Sequence, residues 1–237
     1  MSAMQVNFGE WFERAMAVFK IQWLPLVVIS AALFMAVGVP GALVEKWLPN
    51  FPLLVLLFKL AVMVAVAGPV MIGLARYILR LFEHPDQSVD IGAAFNTVLE
   101  GYQQLKDAAV LYLVIGGSFF VAQYALALFL WPFLAVLASA VISFFVATAT
   151  MFSVWLMAEH KCGFQAALSG SWSAVKDNFH VFLVFHIMAL GVGIAGVIGC
   201  GIGVVATMPL YLCLMAVAFR EVFPHVSAEE PSAPAAL

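Results

Sequence analysis

Three times along this chain, a stretch with one apolar face runs straight into a pair of long apolar segments. The first stretch carries Phe8, Trp11 and Phe12, Ala15 and Met16, Phe19 and Trp23. A shift of 156 residues returns the spacing as Phe164, Ala167 and Leu168, Ser171 and Trp172, Val175 and Phe179. A shift of 83 returns it more faintly as Ile91, Ala94 and Phe95, Val98 and Leu99, and Tyr102. A repeat means one supersecondary unit used several times, which constrains the fold more than any isolated motif.

Composition decides the solvent. The 237 residues are 65% hydrophobic and 10% charged, whereas soluble domains are about 45–50% apolar and about 25% charged. One water-soluble core cannot hide that much apolar surface, so the bilayer is the expected partner. The net charge of −3 offers no basic footprint for nucleic acid. Cys162, Cys200 and Cys213 are an odd, scattered set and make no disulfide framework. Glu10 and Glu13 among the opening aromatics do not fit the cationic start of a cleaved signal peptide.

Crossing about 30 Å of hydrocarbon takes about 20 mostly apolar residues in a helix. Six segments qualify, at roughly 24–44, 52–79, 108–130, 133–158, 180–199 and 201–221. None alternates as a barrel strand would. The predicted fold is therefore all-α and polytopic, with six transmembrane helices and three interfacial amphipathic helices in a pseudo-threefold repeat. Residues 1–223 form a single membrane domain, with repeats at about 7–81, 90–161 and 163–223, and 224–237 form a disordered tail. Arg14, Lys20, Arg76, Arg80, Lys106, Lys161, Lys176 and Arg220 fall on the side of both termini, against Lys46 and the intramembrane Lys59. By the positive-inside rule both termini are cytoplasmic.

The second segments of the units share a further spacing. Pro69 precedes Arg80 by eleven residues, Pro209 precedes Arg220 by eleven, and Thr150 precedes Lys161 by eleven. A proline inside a span removes a backbone hydrogen bond and bends the helix, so Pro69 and Pro209 are expected kinks at matching depths. Gly191, Gly193 and Gly196 spell a dinucleotide-like pattern, but inside an apolar span it has no strand before it. With Gly199 the run reads as close helix packing.

Three polar groups inside the spans are the candidate ligand contacts: Lys59, Gln123 and His186. A cation at mid-membrane costs roughly 2.5–3.5 kcal/mol and marks function by default. Lys59 can also snorkel to the outer interface on its four-carbon stem, or pair with backbone carbonyls. Gln123 reads as interhelical glue or a ligand contact, and His186 as a structural hydrogen bond or a relay. Glu159, His160 and Cys162 cluster, but no second half of a metal site is evident. Ser169, Ser171 and Ser173 have no histidine–acid pair nearby. No catalytic residue, metal or cofactor is expected.

Several short motifs carry a family resemblance: Phe8–Gly9–Glu10–Trp11–Phe12, then Gly68–Pro69, Gly73 and Arg76, then Ala167–Leu168–Ser169 with Trp172 and Val175–Lys176–Asp177–Asn178–Phe179, and finally Pro209, Tyr211 and Phe219–Arg220. Over residues 7–223 the chain resembles a group of uncharacterised bacterial six-span membrane proteins. That group is related to the membrane domain attached to some glycerophosphoryl diester phosphodiesterases. The resemblance implies a bacterial inner-membrane location and no agreed activity, and it carries over no catalytic residue. The expected function is a non-enzymatic membrane scaffold or interaction protein, with a protein partner or a homo-oligomer. The alternative is a transporter or channel for a small solute or lipid.

Overall fold

The computed structural model describes residues 7–84, 90–198 and 203–224. The predicted tail from 225 on, Gly199 and the side chain of Gln123 lie outside the described residues. The described residues are helical throughout, with no strand among them. Among the described residues, five helices are long and apolar enough to cross a membrane: Trp23–Trp47, Leu53–Glu83, Phe133–His160, Phe164–Gly196 and Gly203–Val222.

A short helix precedes a long one three times. Helix α1 (Phe8–Ile21) leads through Gln22 into α2 (Trp23–Trp47). Helix α3 (Pro52–Val62) then continues through a π-helical segment, Met63–Ala67, into α4 (Gly68–Glu83). Helix α5 (Ile91–Leu99) leads through a 3-10 turn, Glu100–Gln104, into α6 (Leu105–Ala127). Helices α7 (Pro132–Ala149) and α8 (Ser153–His160) follow. Helix α9 (Phe164–Val175) leads through Lys176–Asn178 into α10 (Phe179–Ile198), and α11 (Gly203–Val222) ends the described chain.

Local chemistry places these boundaries. The Asn7 side chain accepts a hydrogen bond from Glu10 N, and Asp90 accepts from Gly92 N, so α1 and α5 start on side-chain caps. Helix α9 borrows its cap: Asp107, in the first turn of α6, accepts from Phe164 N at 3.2 Å. Pro52 and Pro132 open α3 and α7, where a missing N–H costs nothing. Pro69 sits at the start of α4, just after the π-helical segment. The chain between α7 and α8 breaks at Thr150–Phe152, where the sequence offers no proline. Ser171 of α9 repairs that break by accepting from Phe152 N and donating to Ala149 O, at 3.2 and 2.9 Å. Pro209 lies within α11 and is buried.

The short helices bury their apolar faces against protein. Helix α1 packs on α11, α5 on α4, and α9 on α8. Matching positions are buried in all three: Trp11, Ala94 and Ala167, then Ala15, Val98 and Ser171. Helix α4 touches both α8 and α11. Phe152 and Phe219 pack with ring centroids 6.1 Å apart, and Trp155 and Phe219 at 6.2 Å, which ties the α8 region to α11.

Apolar side chains gain little by leaving lipid for one another, so close packing has to hold helices together there. Glycine supplies it at two points. A Cβ on Gly73 would run into the Val98 backbone, and one on Gly101 into Pro69 O and Gly73 N. Gly196 and Gly203 meet backbone to backbone in the same way, which joins α10 to α11. Gly193 faces the Tyr211 ring, whereas Gly191 has open space around it.

Candidate functional site

The structure gathers polar groups inside the apolar region more tightly than single-segment reading predicts. His186 on α10 is buried, 6% exposed. Its Nδ1 lies 3.0 Å from Thr148 Oγ1 on α7, and its Nε2 lies 3.4 Å from the Tyr211 hydroxyl on α11. Its ring also packs tilted against Phe144, at 4.9 Å between centroids.

The hydrogen-bond network assigns the tautomer. Thr148 donates its one hydroxyl proton to Phe144 O at 2.9 Å, so the oxygen presents a lone pair to His186. Nδ1 therefore carries the hydrogen, and Nε2 is left as an acceptor whose partner, Tyr211, is at long range.

This histidine lines a cavity of about 240 Å³. Met71 and Ala75 of α4, Tyr112 of α6, Ala147 of α7 and Trp155 of α8 form part of its wall. Tyr211 and Met215 of α11 contribute another part, with Thr150 and Met151 supplied by the break after α7. The lining contains no Asp, Glu, Lys or Arg. Thr150 turns its hydroxyl back to Val146 O at 2.9 Å. The histidine is legible in the sequence as an intramembrane oddity, but Tyr112, Tyr211 and Thr148 are not. A tyrosine within each of two apolar segments is the signal that could have found the first two.

A second cluster closes the other end of α4, α8 and α11. Arg76 is buried, donating from Nε to Ala158 O at 3.1 Å and from Nη2 to Gln104 Oε1 at 3.3 Å, with Glu100 3.6 Å from Nη1. Arg80 reaches Glu100 and Thr97. Arg220 pairs with both Glu159 and Glu83, and Arg14 of α1 pairs with Glu221 of α11. Lys161 lines the same cavity as Arg76, Arg80 and Arg220, of about 250 Å³, and ends α8 in the left-handed region at φ 49°. The ends of three helices present carbonyls here, so cations are electrostatically favoured on structural grounds alone. This cluster is a clamp between helices, and its acids already pair with its arginines.

Of the other predicted residues, Glu159 belongs to the clamp, whereas Lys59, Cys162 and the serines fall outside both groups. Lys59 Nζ lies 2.7 Å from Glu45 Oε2, with the side chains 42% and 65% exposed. The amine is thus held by a carboxylate on the preceding helix, and its stem packs on Gly41. Glu159 serves the clamp, and Cys162 is half-buried, its thiol pushed up chiefly by burial. Among the described residues no group of three His, Cys, Asp or Glu side chains could hold a metal ion. Ser169 donates only to Ala166 O within its own helix, and Ser171 is committed to the α7–α8 break.

The fold and these groups define a helical protein with several helices suited to a membrane. No protein-family model, curated protein or solved structure matches the chain.

Proposed function

We propose that this chain is a non-enzymatic integral membrane protein that acts as a scaffold or interaction module. In this reading six helices span a bacterial inner membrane, with both termini and the arginine clamp on the cytoplasmic side. The three units stand around a pseudo-threefold axis, each led by an amphipathic helix at the interface. The resemblance to the membrane domain attached to some phosphodiesterases belongs to the same proposal.

The supporting observation is the packed contact of α4, α8 and α11, where a central path would have to run. Phe152 and Phe219 are fully buried there, and the arginine clamp lies beyond them. Large apolar side chains such as Phe129 and Trp131 are left at 85% and 80% exposure for lipid or a partner. Light scattering on the protein purified in mild detergent, with cross-linking in the membrane beforehand, tests the reading. It predicts a self-complex or a reproducible protein partner, and a monodisperse monomer without one contradicts it.

The cavity beside His186 favours a second reading, in which the protein binds a small solute or lipid-like molecule within the membrane. Of the three residues predicted to line such a cavity, His186 does so, Lys59 pairs with Glu45 instead, and Gln123 has no described side chain.

A further inference from the structure

We propose that the cavity beside His186 binds an uncharged, lipid-soluble aromatic alcohol, of the phenol or hydroquinone class, whose hydroxyl sits between Tyr211 and His186 Nε2. The proposal rests on the second reading above and names the ligand class that reading leaves open.

Three observations carry it. The first is size. An apolar cavity of about 150 Å³ takes up benzene, so about 240 Å³ suits a substituted ring and is too small for a whole lipid. The second is the wall. Met71, Met151 and Met215 present three thioethers beside the Trp155 indole, and sulfur packs well against ring edges. No charged side chain lines the space, so an ion entering it would lose its hydration without a counter-charge.

The third is a long hydrogen bond that a ligand can improve on. Nδ1 of His186 is committed to Thr148, while Nε2 has a partner only at 3.4 Å. A hydroxyl docking beside this pair donates to Nε2 and accepts from the Tyr211 hydroxyl as the two side chains part, replacing one 3.4 Å contact with two shorter ones. A carbonyl or an ether can accept from Tyr211 but leaves Nε2 unmet. Sites built around a hydrogen bond reject the analogue that lacks it, because the buried polar group is then left unpaired.

The test uses the full chain in lipid nanodiscs, with thermal unfolding followed at matched membrane concentrations of 4-hexylphenol and 4-hexylanisole. The wild-type protein is expected to be stabilised by the phenol, and the methyl ether should need an at least tenfold higher concentration for the same shift. His186→Phe should erase the preference. Ala147→Leu, which fills the cavity and leaves the histidine in place, should erase the response to both. An alkylated hydroquinone run alongside separates the sources: binding of both hydroxyl compounds supports a membrane hydroquinone, and binding of hexylphenol alone supports a small partitioned phenol. Equal stabilisation by phenol and ether, lost in Ala147→Leu, overturns the ligand class while leaving the cavity reading standing. No response to any of the compounds overturns both.

Discussion

The two ends of this molecule are built on different principles. At the end holding Arg76, Arg80 and Arg220, nearly all of α4 from Ile72 to Leu81 is buried, as is α11 from Leu210 to Phe219. At the other end, Val39, Leu43, Trp47, Leu53, Leu54, Leu128, Phe129, Trp131 and Phe133 are all exposed. The contrast holds helix by helix. Over its most apolar stretch, Gly203–Val222 is 56% buried and Trp23–Trp47 only 11%. Hydrophobicity therefore does not locate the core here. An apolar helix is content in lipid, and burial follows where glycine contacts and polar pairs draw the helices together.

The largest test of that contrast is steric. Gly73→Val forces a side chain into the Val98 backbone, which cannot move without separating α5 from α4. A loss of about 3 kcal/mol or more is expected, read as a collapse of the folded fraction in detergent. Gly191→Val, with nothing within 4 Å of its Cβ position, should change stability by less than about 1 kcal/mol, the modest propensity difference between the two residues in a helix. Equal losses would erase the distinction between packed and open glycines.

Charge pairs sharpen the comparison next. Arg76→Ala strands Ala158 O and Gln104 around a buried gap while Glu100 keeps Arg80, and losing a buried charged donor of this kind costs roughly 2–3 kcal/mol. Lys59→Ala breaks a pair whose side chains are 42% and 65% exposed, so less than about 1 kcal/mol should be lost. Parallel thermal melts of the two variants give the order directly.

The smallest effect concerns a single hydroxyl. Ser171→Ala removes both bonds that mend the α7–α8 break and should cost about 1–3 kcal/mol through the unpaired Phe152 N–H. Ser169→Ala, whose hydroxyl meets only its own helix, should be within about 0.5 kcal/mol of wild type. Chemical denaturation of the two variants side by side checks it.

Much of this fold is legible before any coordinates. The apolar run at 52–79 becomes Pro52–Glu83, and the run at 180–199 becomes Phe179–Ile198, because length and apolarity alone oblige a helix in lipid. The amphipathic stretches are legible for the same reason, since period 3.6 shows in the sequence. Their partners are not: periodicity gives a helix its face but not its neighbour. So the placement of α1 against α11 is invisible in sequence, and so are the repair of the α7 break by Ser171 and the cap lent to α9 by Asp107. The same limit hides the site. His186 stands out, but the approach of Thr148 from 38 residues away and of Tyr211 from 25 residues away is a property of packing. Lys59 stands out for a reason that proves local, because its carboxylate partner sits on the adjacent helix.

The common core depends on one long-range contact, in which the first short helix meets the last long one through Arg14 and Glu221. The direct measurement is cross-linking of Arg14→Cys with Glu221→Cys, in a chain lacking Cys162, Cys200 and Cys213, using a short bifunctional thiol reagent in native membranes. The account predicts an efficient intramolecular cross-link that disappears when either cysteine is omitted. A cross-link found only between two copies, or none at all, would contradict the packing of α1 on α11 and the common core that it completes.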